Sequence, residues 1–276
     1  MAFRLDTAFM SALMSGTTQA AVFNPWDRAL YLAVLHKRPF CRWANFDKPF
    51  QGFGQAIAHR VISGGVWFMM EDMFSAPCRD LLPGRPLLGA MLTGICAGSI
   101  NGALLNPVAI TKYRLWGKDT RVLQEMRSMW RNGGFRPFCI GAGVTILRDA
   151  VFGLIYTGIK AFGINYGRCD GPDGSGACYF GVKMVAGGVA TTLSAPLNYA
   201  RNIKYSHSSV STPPKSLLRI WKELYQELTA LVQSQGWKKG LIFLQMRFTT
   251  GWGIARVAVG MAFGDLVYSK SKGFFT

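Results

Sequence analysis

The sequence predicts an all-α membrane protein with six transmembrane helices arranged in three repeats. Three observations predict it. Of the 276 residues, 50% are hydrophobic and only 16% are charged, whereas a soluble domain carries about 25% charged residues. Stretches of spanning length fall near 8–36, 53–76, 86–114, 138–164, 180–204 and 240–268, and a membrane crossing needs about 20 mostly apolar residues. A glycine also leads a proline by nine residues three times, at Gly16/Pro25, Gly98/Pro107 and Gly187/Pro196, with the prolines roughly a third of the chain apart.

Each element follows from these patterns. The first stretch of each repeat reads "GTTQAAVFNPWDRAL" (16–30), "GSINGALLNPVAITK" (98–112) and "GGVATTLSAPLNYAR" (187–201). The glycines allow close helix approach in lipid. The prolines remove a backbone donor and are expected to bend the helix that carries them. The second stretches repeat as "GFGQAIAHR" (52–60), "GAGVTILRD" (141–149) and "GLIFLQMRF" (240–248). Gly141 leads Arg148 by seven residues, as Gly240 leads Arg247, and His59 with Arg60 stands at that position in the first repeat. Between the two stretches, 121–131 and 216–229 carry apolar residues at helical spacing and predict surface helices. Residues 36–50 contain two prolines and no such pattern, so an irregular loop is expected there. The spans contain Gly, Ser, Thr and an occasional Arg, which suits a bundle around a polar interior rather than separate anchors. The whole is one domain, 1–276, with repeats at 1–80, 81–168 and 169–276.

The net charge of +17 points to anionic lipid or small anions. Nucleic acid is excluded as a partner because long charge-free stretches interrupt the basic residues. No enzyme site is present in the sequence. His36, His59 and His207 lack metal-like spacing, there is no Gly-x-Ser-x-Gly or Walker loop, and no Cys-x-x-Cys occurs. No metal or other cofactor is expected.

The Gly–Pro repeats, and "GVTILRDAVFGLIY" (143–156) in the second half of repeat two, resemble the mitochondrial carrier family over nearly the whole chain. The resemblance implies six tilted helices with pseudo-threefold symmetry, each pair joined by a short matrix-side helix. It also implies a Pro-x-acid-x-x-base signature whose acids pair with the base of the next repeat and close a ring. Here that signature is damaged. Repeat one reads Pro25-Trp26-Asp27-Arg28-Ala29-Leu30, repeat two Pro107-Val108-Ala109-Ile110-Thr111-Lys112, and repeat three Pro196-Leu197-Asn198-Tyr199-Ala200-Arg201. Asp27–Lys112 is the one link left, and Asn198 and Arg201 lack their charged partners. At the far ends of the even helices only Glu71, Asp72, Asp265 and Lys160 stand out, so the acid–base ladder expected there looks absent.

In the family, substrates meet side chains midway along the even helices. That makes His59, Arg60, Arg148, Arg247 and Arg256 the substrate-binding candidates, and arginines converging in a membrane interior suit a carboxylate or phosphate. Arg148 has a second use open to it, a pair with Asp149. Lys183 either faces the cavity or snorkels to the surface. Cys169 and Cys178 bracket a loop on the intermembrane-space side, where a disulfide can form. "MAFRLDTAFM" runs straight into the first helix, so no cleavable presequence is expected.

Basic residues concentrate in 28–52, 112–137 and 201–239, which puts those loops on the matrix side. The expected location is therefore the mitochondrial inner membrane, multi-pass, with inner-membrane lipids such as cardiolipin at the basic loops. Two functions are carried forward. One is alternating-access transport of a small anionic solute. The other is a transport-inactive structural subunit of a respiratory complex or of ATP synthase, whose partners would be the other subunits of that complex.

Overall fold

The computed structural model describes residues 5–35, 39–50, 53–115, 122–166, 177–206, 215–248 and 250–275. Among these the regular structure is entirely helical. In chain order the α-helices are α1 (Leu5–Leu35), α2 (Phe53–Arg60), α3 (Val66–Leu81), α4 (Pro86–Leu115), α5 (Val122–Gly133), α6 (Ala142–Tyr166), α7 (Ala177–Ser206), α8 (Leu217–Gln235), α9 (Trp237–Phe248) and α10 (Trp252–Phe275). A π-helical turn, Val61–Gly65, joins α2 to α3. The three segments together form one long rod.

The long helices close into a ring. α1 packs on the α2–α3 rod, α3 on α4, α4 on α6, α6 on α7, α7 on α10, and α10 returns to α1. The polarity of the ring is inverted relative to a soluble core. Ser11, Ser15, Gln19, Thr93, Asn101 and Thr145 are buried, while Phe9, Met14, Ile95, Leu104, Val185 and Leu193 are exposed. Val185, Val189 and Leu193 lie four residues apart, so α7 turns one apolar stripe outward. An apolar exterior over a polar interior is what a lipid-facing bundle requires. Two helical stretches, Pro86–Thr111 and Arg136–Ile164, are long and apolar enough to cross a membrane by composition alone. The other long helices carry charges that point into the ring.

The repeated glycines sit where each proline-bearing helix meets the next long helix. A Cβ at Gly16 would strike the backbone of Val61, and one at Gly98 the carbonyl of Asp149. One at Gly187 would come within 3.2 Å of Ala258 Cα. All three contacts are helix-to-helix approaches that a larger residue would push apart. Helices α1, α4 and α7 run through Pro25, Pro107 and Pro196 without ending.

The asparagines that precede two of these prolines have matching jobs. Asn24 Nδ2 donates to the Pro49 carbonyl at 2.7 Å, and Asn106 Nδ2 donates to the Phe138 carbonyl at 2.7 Å. Each asparagine thereby pins the segment that enters the next long helix. Asn106 Oδ1 also accepts from Thr145 (2.9 Å) and Tyr205 (2.7 Å), which ties α4, α6 and α7 together.

The surface helices fall where the apolar spacing places them, at α5 and α8. Ser216 caps α8, its hydroxyl accepting from Arg219 N–H at 3.3 Å, and Gly236 ends the helix at φ +83°. Within 39–50 the chain is irregular apart from one 3₁₀ turn, Trp43–Asn45, and residues 36–38 lie outside the described residues. The stretch is nevertheless well anchored. Phe40 stacks on Trp252 (4.9 Å between centroids), Trp26 lies edge-on to Trp252 (6.1 Å), and Arg28 donates to the Asp47 carbonyl (3.2 Å).

One expected span changes. The stretch read as 240–268 is two helices, because the chain turns at Gly251 (φ +95°) between α9 and α10. Glycine is the residue that takes that φ without strain.

Candidate functional site

Six long helices enclose a cavity of about 320 Å³. It lies toward the end of the ring where the proline-bearing helices finish and the next long helices begin. Its charged lining is Asp27, Arg60, Arg148, Asp149, Arg201 and Arg256. Four guanidinium groups against two carboxylates make the lining cationic.

On one side, α1, α2 and α10 meet around a single acid. Asp27 accepts from Arg60 Nη2 at 2.5 Å and from Arg256 Nη2 at 3.0 Å, and Arg256 Nε forms an ion pair with its Oδ1 at 2.5 Å. Arg256 is 3% exposed, so it is held by this carboxylate and by the Phe23 ring, 4.8 Å from its Cζ. A buried cation keeps its charge when it is paired and hydrogen-bonded in this way. On the other side, α6 and α7 meet through Arg148, which pairs with the neighbouring Asp149 and donates to Asn198 Oδ1 at 3.3 Å. Arg201 lies one turn beyond Asn198. Its Nε has no hydrogen-bond partner among the described residues, and its guanidinium lies 5.7 Å from the Tyr205 ring.

The opposite end of the ring is closed by ion pairs. Glu71 on α3 pairs with Lys160 on α6, and Asp265 on α10 pairs with Lys183 on α7. Asp72 on α3 takes Lys272 of α10 at 2.5 Å and the Tyr268 hydroxyl at 2.9 Å. Three acids each have a lysine on a different helix. This overturns the expectation that the acid–base ladder at this end is absent. Lys160 alone stands out in the sequence because the other two bases are not on equivalent turns. Lys183 sits near the start of α7 and Lys272 near the end of α10. Lys183 neither faces the cavity nor snorkels. It is 3% exposed, with its ammonium 3.7 Å from the Tyr179 ring centroid. An isolated lysine in an apolar helix was the available signal.

Among the predicted substrate contacts, His59, Arg60, Arg148 and Arg256 line the cavity. Arg247 does not. It lies on α9, is 44% exposed at the side chain, and pairs with Glu227 of α8 at 3.1 Å. The helix break at Gly251 moves it out of register with Arg148, and Arg256 on the following helix reaches the cavity instead. Of the expected matrix gate, Asp27, Asn198 and Arg201 line the same cavity, but Asp27 is occupied by Arg60 and Arg256. The Lys112 side chain lies outside the described residues. Cys178 is disulfide-bonded, and Cys169 lies outside the described residues.

Two lining residues escaped the sequence reading. Asn101 on α4 is 4% exposed and its Oδ1 has no hydrogen-bond partner among the described residues, and Ser63 Oγ in the π turn is likewise buried and unmatched among them. Asn101 is three residues beyond the repeated Gly98, on the face that glycine presses against α6, so its position relative to the motif is the signal that could have found it.

The family model for mitochondrial carrier proteins matches residues 84–166, which covers α4, α5 and α6. The chain is also similar to the mitochondrial glycine transporter of Homo sapiens, 26% identical over 172 residues, or 54% of this chain. That alignment spans about half the length of the relative, 55% of it.

Proposed function

We propose that the chain is a member of the mitochondrial carrier family, as the match over 84–166 and the ring of long helices support, and that it transports a small carboxylate-bearing solute across the mitochondrial inner membrane by alternating access. The observation that carries this reading is a cationic cavity shut at one end by three interhelical ion pairs. A cavity of about 320 Å³ is at the small end of the ~300–1,000 Å³ range of ligand sites. It therefore suits a solute of few heavy atoms. Four arginines are costly in a membrane interior unless they face water, an acid or a ligand. Two of them share Asp27, which leaves cationic surplus for an incoming carboxylate.

The mechanism follows from the two ends. With Glu71–Lys160, Asp265–Lys183 and Asp72–Lys272 formed, the even-helix far ends are held together and the solute reaches the arginines from the other end. The charge of the loops 28–52, 112–137 and 201–239 supports an open end that faces the matrix. Bound anion would draw the arginines of α2, α6, α7 and α10 inward. That movement would trade the lysine–carboxylate pairs for closure around Asp27. The Asp72–Lys272 pair is partly solvated and worth about 1 kcal/mol, and desolvation offsets much of the two more buried pairs, so such exchanges suit two states of similar energy.

The reading as a structural subunit of a respiratory complex or ATP synthase drew its support from lost charge links at both ends. With three pairs present at one end, it keeps only the irregular signature at the other. The test is counter-exchange in liposomes containing the purified full-length chain, with internal and external panels of small mono- and dicarboxylates, amino acids and phosphate. Saturable exchange of any of these supports transport. No exchange with any of them, together with comigration with a large complex in mild detergent, would replace it with the structural reading.

A further inference from the structure

We propose that the ring moves as two bodies rather than three, with repeat one (α1 to α3) rocking against a single block made of repeats two and three. This rests on the transport reading and specifies which parts move. Two independent observations carry it, one from each end. At the closed end, two of the three ion pairs join one repeat to another, Glu71–Lys160 and Asp72–Lys272, and both begin on α3. The third, Lys183–Asp265, joins α7 to α10 inside repeat three. Withdrawing α3 breaks both cross-repeat pairs at once. It leaves Lys183–Asp265 intact, and that pair, with side chains 3% and 10% exposed, is the one that costs most to break.

At the cavity end, the fixed seam is the one between repeats two and three. The Tyr205 hydroxyl of α7 donates to Asn106 Oδ1 of α4 at 2.7 Å and lies 3.0 Å from Thr145 Oγ1 of α6. All three residues are at most 3% exposed. Tyr205 also belongs to an apolar cluster with Leu105 and Phe138, and Val144 of α6 to another with Ala200 of α7 and Ile220 of α8. Parting this seam would strip buried polar groups of their partners and wet both clusters. Repeat one carries Ala56 where repeat two has Thr145. Its contacts to repeat three at this end are of a kind that can be remade. The acid of the Asp27–Arg256 pair is 26% exposed, and Trp252, on which Phe40 stacks, is 50% exposed. Between the two ends, Ser15 Oγ donates to the Gly264 carbonyl at 2.7 Å. Gly264 lies midway along α10 between Arg256 and Lys272, where rocking displaces the helices least. Repeat one is itself stiff, because a Cβ on Gly65 would strike the Ala12 carbonyl and one on Gly16 the Val61 backbone. A three-way opening would need the Tyr205 seam to part as readily as the other two.

Two measurements test this, and the first needs no solute. Nitroxide labels are placed two at a time at the exposed positions Ser75→Cys, Phe162→Cys and Lys270→Cys, on α3, α6 and α10. The free cysteines Cys41, Cys78, Cys96 and Cys139 are replaced by serine, and label separations are read by pulsed electron resonance. Glu71→Gln with Asp72→Asn removes both cross-repeat pairs and unlocks the closed end. The separations from position 75 to 162 and from 75 to 270 should then gain a second, longer population, while 162 to 270 should keep one. A longer population between 162 and 270 overturns the inference, and so does no change in any of the three. Lys160→Gln with Lys272→Gln gives the same reading if the acid variant fails to fold. The second measurement is exchange in liposomes. Tyr205→Phe should lower Tm yet exchange at the parent rate, because the seam it loosens does not part during the cycle, whereas Lys272→Gln should exchange faster. Faster exchange in Tyr205→Phe overturns the inference and leaves transport standing. If the parent protein exchanges nothing, the transport reading falls, and the label separations alone decide between two bodies and three.

Discussion

The two ends of the helix ring handle charge differently. At the closed end three acids each have their own lysine, in the pairs Glu71–Lys160, Asp265–Lys183 and Asp72–Lys272. At the cavity end one acid, Asp27, serves two arginines, and Arg201 Nε has no hydrogen-bond partner among the described residues. Matched pairs can only open and close. A surplus of guanidinium groups has to be completed from outside, so the second arrangement is suited to binding. Lysine and arginine are divided accordingly. Lysine's compact ammonium suits a pair that is made and broken, and arginine's planar fork suits a carboxylate held in a fixed orientation.

The strongest way to break this contrast is to remove the shared acid. Asp27→Asn leaves Arg60 and Arg256 packed against each other with no anion, and losing one partner of a buried pair costs about 3 kcal/mol. The variant should unfold at clearly lower temperature in detergent, and an unchanged Tm would mean that water already neutralises the two arginines. Next in size is Gly98→Ala. Its new Cβ would collide with the Asp149 carbonyl, so α4 and α6 must separate, at about 2 kcal/mol. The cavity end should suffer most, because Asp149 moves with its carbonyl, and solute exchange should fall further than Tm does.

A smaller effect is expected at the closed end. Lys272→Gln removes the most solvated of the three pairs, at about 1 kcal/mol, and should mainly speed exchange if opening that end limits the cycle. Exchange unaltered by all three lysine substitutions would show that the ion pairs are not the gate.

The smallest effect lies outside the ring. Hydrogen bonding from Lys215, with a second bond from Arg219, holds the exposed Glu223 carboxyl below its ordinary range. A lowered folded-state pKa contributes stability above the unfolded value, and that contribution is lost as pH falls through the folded one. Glu223→Gln should therefore lower Tm slightly at neutral pH and converge with the parent in acid. A constant difference across pH would assign the effect to packing on α8.

Much of the fold was legible because its signals are periodic. The Gly–Pro spacing located α1, α4 and α7, and the apolar spacing located α5 and α8. The same periodicity misled at Arg247. Gly240/Arg247 copies the spacing of Gly141/Arg148, but the turn at Gly251 puts the copy on α9 and outside the ring. The charge pairs were less legible for a different reason. Asp72 and Lys272 belong to helices far apart in the chain that become neighbours only when the ring closes, and spacing within a repeat carries no information about that. Arg148, Arg201 and Asp27 were found as residues, but their partners depend on side-chain direction. Asn101 was missed because an unmatched oxygen has no sequence signature of its own, and its place three residues after Gly98 was the one pointer to it.

The π turn at Val61–Gly65 makes the α2–α3 rod a helix with two phases. A π turn holds one residue more than an α turn, and each α-helical residue advances the azimuth by about 100°. The extra residue therefore sets the angular offset between Arg60, which must look toward Asp27, and Glu71, which must look toward Lys160. A continuous α-helix of the same sequence could point one of them correctly but not both. Deleting a single residue such as Ser63 would turn the π turn into plain α-helix and keep the two halves in phase, whereas straightening it with every residue kept would rotate one half against the other by about that angle. The rod would remain a good helix and still bury its glycines at only one end, so this insertion acts as the timing mark that keeps the two ends of the ring in step.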